Sequence, residues 1–222
     1  MKVQIKWMYQ KSRDEISFYS DELEAARAIV VAEDLLNTGR VKNITFVDQF
    51  DASWTVKELK KYLKAVDTEP HHLVVYFDGG FDHETKTAGL GCVIYYEQNG
   101  KTFRLRRNAS VHHLKSNNEA EYAALHLSIR ELALLNAHHL PVRIIGDSRV
   151  VINHLTEEWP AIEKNLAEWA DKIEAEMAAL HLHPDYFLVN RNANKEADQL
   201  ATQALKGIEI TATSEVDARP ES

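Results

Sequence analysis

Apolar positions along this chain recur with a period of two in some stretches and near 3.6 in others, and the switches outline its elements. Val3, Ile5 and Trp7 alternate with polar residues, which predicts a half-buried strand. A turn is expected at Lys11-Ser12-Arg13-Asp14 and a second strand over Ile16-Ser17-Phe18. Residues 21–37 carry helical periodicity, with Ser20 as N-cap and Gly39 just past the end. Ile44 to Val47 reads as a strand. Thr55 and Glu58 have capping-box spacing, with Trp54 and Leu59 placed as a hydrophobic staple, and open a helix running to about Ala65.

A boundary is expected at Asp67-Thr68-Glu69-Pro70, where proline disfavours helix in the residue before it. Residues 1–66 then form a small α/β domain, 67–71 a linker, 72–207 a larger domain, and 208–222 a polar, disordered tail. In the larger domain Leu73 to Phe77 is an apolar run, and strands follow over 89–96 and 102–110 around a turn at Gln98-Asn99-Gly100. A long helix over 117–137 precedes the strand Val142 to Ile145. Helices over 148–156 and 162–181, a strand from Tyr186 to Val189, and a helix over 194–206 capped by Gly207 complete it. This order, β-β-β-α-β-α-α-β-α, predicts an α/β fold: a five-stranded mixed sheet flanked by helices.

Composition changes the picture in two ways. The net charge of −8 does not announce a nucleic-acid binder, so local charge must carry any such role. Cys92 is the single cysteine, which excludes an internal disulfide and a cysteine zinc cage and fits a reducing, cytoplasmic setting. The first residues lack the apolar core of a signal peptide, and no apolar run approaches the roughly 20 residues needed to span a bilayer, so no membrane association is expected.

The candidate chemistry lies in carboxylates. Asp78 follows five apolar residues and precedes two glycines, and Asp147 closes another short apolar strand. Alone, Asp78 is equally a turn residue. Strand ends in α/β sheets are also where ligand-binding side chains gather. Glu121 shares a helix face with Leu125, Ser128, Leu132 and Leu135, a core-facing stripe on which a bare carboxylate is costly to desolvate. Glu119 falls with Ala123, His126 and Arg130 and reads as solvated. Asp198 shares a face with Ala201 and Leu205, and Asn194 one turn earlier can cap the helix or bond a neighbouring carboxylate. The plainer reading of Glu121 and Asp198 is a first-turn acid favoured by the helix dipole. Acids from two strand ends and two helix starts can instead converge at one end of a sheet. Divalent cations relieve the repulsion there; Mg2+ takes oxygen ligands, and a pair about 4 Å apart serves phosphodiester hydrolysis.

Four segments in order, Asp78-Gly79-Gly80, Ser116-Asn117-Asn118-Glu119-Ala120-Glu121, Gly146-Asp147-Ser148 and Asn194-Lys195-Glu196-Ala197-Asp198, resemble the motifs of the ribonuclease HI family. The resemblance covers about residues 71–207. It implies Asp78, Glu121, Asp147 and Asp198 as metal-binding catalytic acids, two Mg2+ ions with Mn2+ as a substitute, and an RNA–DNA hybrid as the partner. It places Gly79, Asn117 and Asn118 against the RNA strand, where a 2′-hydroxyl contact tells RNA from DNA. Arg191 and Asn194 join them on the substrate side, and the product carries a 5′-phosphate. Many bacterial members have a histidine in a longer loop before the last acid. Here Val189 to Asn194 is short and has none, so the chain looks like the archaeal-type branch. No protein partner is expected, and the state is expected to be monomeric.

Between Gln98 and Asn118 there is no Asp or Glu, while Lys101, Arg104, Arg106, Arg107, Lys115, His112 and His113 make a local basic stretch. It suits phosphate contacts or, more plainly, a charge-defended strand edge. Lys57, Lys60, Lys61 and Lys64 line one helix face, which suits a nucleic-acid backbone or, more plainly, is an ordinary solvated surface. Three alternatives stand beside a hybrid-cutting nuclease. An exonuclease on the same scaffold typically has a second acid two residues after the first, where this chain has Gly80. A Holliday-junction nuclease shares the fold. A catalytically weak or silent nucleic-acid-binding protein is the third.

Overall fold

The computed structural model describes residues 1–11, 14–39, 41–160 and 163–217. The chain divides into two compact units, Met1–Thr68 and Glu69–Ser222, each with its own core.

The first unit runs β1 (Lys2–Lys11), β2 (Asp14–Glu24), α1 (Ala25–Asn37), β3 (Val41–Asp48), β4 (Ser53–Thr55) and α2 (Val56–Thr68). Its antiparallel sheet has the order β2-β1-β3-β4. Val3, Ile5, Ala28, Phe46 and Leu59 form its core. The expected capping box is present: Thr55 N donates to Glu58 Oε2 at 2.9 Å and Glu58 N donates to Thr55 Oγ1 at 3.2 Å. Lys60 of the basic helix face is paired with Glu33 on α1.

Two expectations here need correction. Helix α1 begins at Ala25, not residue 21. Residues 22–24 are taken by the β1 ladder, where Glu22 opposes Gln4 and Leu23 opposes Val3, and Ser20 Oγ accepts from Ile5 N at 2.9 Å instead of capping a helix. Helix α2 runs on to Thr68, so only Glu69 and Pro70 join the units, in place of a linker over 67–71. The expected turn at 11–14 contains Ser12 and Arg13, which lie outside the described residues.

The second unit runs β5 (His71–Asp82), β6 (Thr87–Gln98), β7 (Lys101–His112), α3 (Asn117–Leu134), β8 (Pro141–Gly146), α4 (Arg149–Leu155), α5 (Lys164–Ala179), β9 (His183–Leu188), a 3-10 turn at Arg191–Ala193, α6 (Lys195–Leu205) and β10 (Thr211–Val216). The mixed sheet is as expected, with one strand more: its order is β10-β7-β6-β5-β8-β9, with β8 parallel to β5 and β9 parallel to β8. Successive strand residues face opposite sides of a sheet. Leu73, Val75, Phe77, Cys92 and Ile94 accordingly join a core with residues of α3 and α5, whereas Val74, Tyr76, Val93 and Tyr95 join one with Ala197 and Leu200 of α6.

Both helices lie directly on the sheet. A Cβ on Gly79 would stand 2.2 Å from the Ala120 carbonyl carbon, and one on Gly91 would stand 2.1 Å from the Ala197 carbonyl oxygen. Only glycine permits such approach.

Within the stretch 208–222 expected to be disordered, Thr211–Val216 instead forms β10, antiparallel to β7. The buried Asn108 side chain fixes it: its Oδ1 accepts from Ile210 N at 2.7 Å and its Nδ2 donates to Ile208 O at 2.9 Å. An edge strand needs no apolar alternation, which is why a polar stretch serves. The strand also takes up much of the basic stretch. Lys101 pairs with Glu215 at 2.7 Å, and Arg107 donates to the Thr211 hydroxyl and faces Glu131 of α3 at 3.5 Å. Arg104, on the opposite face, meets Glu196 of α6 at 3.1 Å. These cations neutralise the domain's own acids rather than forming one open basic surface. Among the described residues no helix is long and apolar enough to cross a membrane.

Candidate active site

Strands β5 and β8 are parallel and in register, with Tyr76 opposite Ile145. Asp78 and Asp147 each lie two residues further on, so both carboxylates emerge where the pairing of these two strands ends; β5 itself runs on through Asp78 to Asp82, paired with β6, and does not turn at Asp78-Gly79-Gly80. Helix α3 brings Glu121 to them. Its N-terminus is capped by Ser116, whose Oγ accepts from Glu119 N at 3.2 Å. Glu121 faces the sheet on the expected stripe, with Leu125, Ser128 and Leu132 fully buried below it. Carboxylate oxygens of Asp78, Glu121 and Asp147 all lie within 4.8 Å of one another.

Two neutral groups set the orientation of these acids. Gly79 N donates to Glu121 Oε2 at 3.1 Å. Asn194, 1% exposed, donates through Nδ2 to Asp147 Oδ1 at 2.8 Å and to the Phe77 carbonyl at 2.9 Å. Of the roles expected of Asn194, the carboxylate contact is realised and side-chain capping of α6 is not, and a side chain 1% exposed has little surface to offer a substrate. Its Oδ1 is buried without a hydrogen-bond partner.

Asp198 sits apart from the three-carboxylate group. Its Oδ1 is 2.5 Å from an Arg191 guanidinium nitrogen, and the Arg191 side chain is otherwise 77% exposed. Asp198 nevertheless acts on the cluster through its charge. Burial pushes Asp78 up to about 7, the charges of Asp147 and Asp198 add to the rise, and Arg191 opposes it. Burial also holds Glu121 well above the usual carboxylate range, reinforced by Asp78 and Asp147 and opposed by the Gly79 N–H. A group of hard oxygen donors in which Asp78 and Glu121 are buried and resist ionisation is suited to a divalent cation such as Mg2+, whose charge stabilises the ionised form of its ligands.

Asn117 and Asn118 lie on α3, the helix that carries Glu121. Asn117 Oδ1 accepts from Phe81 N at 3.2 Å and ties the start of α3 to β5. Asn118 lines a cleft of about 270 Å3 with Tyr122, Val150, His154, Trp159 and Leu166. In that cleft the Tyr122 hydroxyl is 2.5 Å from His154 Nδ1, and burial pushes the phenol up to about 12. No local signal in the sequence joins Tyr122 to His154. Glu119 is a correction: it is 5% exposed, not solvated. Its carboxylate accepts from Lys115 N at 2.5 Å and from Asn165 Nδ2 at 2.6 Å. Helix α5 covers the face read as solvent-like, as the 2.9 Å contact of His126 with Glu176 also records. The Ser-x-x-Glu spacing of a capping box was the signal that could have placed Glu119.

A mixed sheet of this order, flanked by helices and carrying acids where two parallel strands cease to pair and at an adjoining helix start, has the RNase H-like architecture. Residues 76–204 match the family model described as reverse transcriptase-like, and the chain belongs to that family. It is 45% identical over 196 residues to the uncharacterized protein YpeP of Bacillus subtilis (strain 168), covering 88% of this chain and 86% of that one. Among solved structures it resembles RNase H1 of the halophilic archaeon Halobacterium salinarum NRC-1, at TM-score 0.52 and 22% identity, over 61% of this chain and 98% of that one. The N-terminal RNase H domain of a Mycobacterium tuberculosis protein gives TM-score 0.53 at 23% identity over 61% of this chain and 94% of that one. LC11-RNase H1 in complex with an RNA/DNA hybrid gives 0.52 at 24% over 61% and 97%. Likeness at such identities speaks for the fold.

Proposed function

We propose that this chain hydrolyses the RNA strand of RNA–DNA hybrids with the help of divalent cations, and that the chemistry resides in residues 72–207. The observation that carries this is the convergence of the Asp78, Glu121 and Asp147 carboxylates within 4.8 Å. Asp78, Glu121 and Asp147 would hold the cations, with Asp198 at the margin of the set. Divalent ions bound there, two in the reading favoured here, supply charge stabilisation at the scissile phosphate and activation of the attacking water.

The chain's own groups do the positioning. Asn194 and the Gly79 N–H keep Asp147 and Glu121 turned toward each other, so little reorganisation is needed on loading. Asn117 and Asn118 at the start of α3 are assigned to the RNA strand, where amide side chains can both donate to and accept from a 2′-hydroxyl. Arg191, exposed beside Asp198, offers a cation to a backbone phosphate. The expected product carries a 5′-phosphate and a 3′-hydroxyl.

The test is a panel of RNA–DNA hybrid, single-stranded RNA and DNA duplex, each with Mg2+, Mn2+ or EDTA. Cation-dependent cutting of only the RNA strand of the hybrid is the expected result; preferential cutting of DNA duplex would overturn the assignment. One observation favours a second reading, a catalytically weak or silent nucleic-acid-binding protein: Arg191 already neutralises Asp198. Hybrid binding with no cleavage in any metal would select it.

A further inference from the structure

The first strand of the second unit carries another cluster, at the end opposite its acids. His71 and His72 open β5, and Glu97 lies across from them on β6. His71 is about seven residues from Asp78 along this strand, roughly 20 Å at ~3.3 Å per residue. Adjacent residues of a regular strand point to opposite faces. Here the register shifts: His71 pairs with Glu97, but the next pair is Val74 with Tyr95, so β5 holds one residue more than its partner. His72 takes a left-handed φ of 53° at this bulge. The bulge turns both imidazoles to the same carboxylate. His72 Nδ1 is 3.0 Å and His71 Nε2 is 3.9 Å from Glu97 Oε2. One ligand atom from each of the three residues lies within 4.8 Å of the other two.

The hydrogen bonding of His71 adds a second, independent sign. Its Nδ1 is 2.9 Å from the Glu69 carbonyl oxygen. A carbonyl only accepts, so Nδ1 carries the proton and, in the neutral ring, the Nε2 lone pair faces Glu97. A backbone carbonyl holding the far nitrogen in this way is the usual orienting contact of a metal-bound imidazole.

We propose that His71 Nε2, His72 Nδ1 and the Glu97 carboxylate form a second cation site that takes a zinc-class transition metal and pins the first residues of β5 to β6. The donor chemistry separates it from the acid cluster: imidazole suits Zn2+, Ni2+ or Cu2+, while all-oxygen sets suit Mg2+. The spacing fits as well. Tetrahedral ligands at Zn–N distances near 2.0–2.1 Å stand about 3.3 Å apart, between the two distances seen here. Three protein ligands leave one position for water or an exogenous ligand.

The experiment is a Zn2+ titration of the full chain against a chromophoric chelator, with millimolar Mg2+ present to occupy the acid cluster, on wild type, His71→Gln, His72→Gln and Glu97→Gln. His72 is exposed, so His72→Gln leaves the core untouched and serves if another variant folds poorly. His139→Gln, in a separate group of histidines, is the control. The expected result is one Zn2+ per wild-type chain, a loss of affinity on the order of tenfold or more in each of the three variants, and no change in the control. A Zn2+-dependent rise in melting temperature should vanish with it. Equal Zn2+ affinity in wild type and all three variants, or no stoichiometric Zn2+ binding by wild type, overturns the proposal. Neither result bears on hybrid cleavage, which the acid cluster alone would govern.

Discussion

Strand β5 carries two clusters of titratable side chains, and they differ in nearly every physical respect. Further along it, Asp78 meets Glu121 and Asp147 in an all-oxygen group in which Asp78 and Glu121 are buried. At its start, His71 and His72 meet Glu97 in a more open group of mixed donors. Burial and like charge push Asp78 and Glu121 away from ionisation, an electrostatic demand that a cation would meet. The open cluster has less burial cost to relieve, and its selectivity rests on nitrogen ligation. On the two proposals above, one strand would offer two metal preferences, set by donor type and burial.

The largest expected effect falls on the buried cluster. Asp147→Asn should lower hybrid cleavage about a thousandfold or more, about 4 kcal/mol of transition-state stabilisation, while circular dichroism and melting stay native. Near-wild-type cleavage by this variant would remove Asp147 from the chemistry. The histidine cluster should be indifferent to that change, so Zn2+ affinity altered by Asp147→Asn would mean the two groups are not separate.

The pH dependence of stability without metal sharpens the contrast next. Asp78 is raised to about 7 in the folded state, above its unfolded value, so its contribution to stability is present at acid pH and is lost as pH rises from about 4 toward 7. Glu121 shifts in the same direction. In EDTA, the unfolding free energy should fall by a few kcal/mol between pH 4.5 and pH 7.5, read by urea denaturation, and millimolar Mg2+ should restore it. A flat profile in EDTA would mean the carboxylates are solvated and the demand for a cation is absent.

Smaller effects separate neighbours within the acid region. Glu119→Gln should cost about 1–2 kcal/mol of stability, because Lys115 N and Asn165 lose a charged acceptor, yet leave the cleavage rate of folded protein within a few-fold of wild type. Glu121→Gln should do the reverse. Finally, Arg191→Ala should weaken hybrid binding a few-fold and reduce its salt dependence by about one phosphate contact. Unchanged salt dependence would leave Arg191 as a partner of Asp198 only.

How much of this was legible in the sequence follows from how local each signal is. Asp147 could be read because an apolar run followed by an acid marks a strand end; the same signal singled out Asp78, although β5 continues past it to Asp82. Glu121 could be read because helical period alone aligns it with Leu125 and Leu132. Glu119 was misread because the same wheel says nothing of α5 covering its face. The polar residues of β10 have no core periodicity; a single buried side chain, Asn108, recruits them from about a hundred positions away. The start of α1 was placed too early because the β1 ladder claims residues whose own propensity is helical. The His71–His72–Glu97 group depends on a bulge, which no pattern of hydrophobicity announces.

The most direct measurement is a metal titration of hybrid cleavage by the full chain, following the RNA and DNA strands separately. The result expected is no cutting in EDTA, RNA-strand cutting that rises with Mg2+ and saturates, and 5′-phosphate ends on the products. A hybrid left intact across the whole range of Mg2+ and Mn2+, by protein shown to be folded, would contradict the central claim that the converging carboxylates work as a nuclease centre.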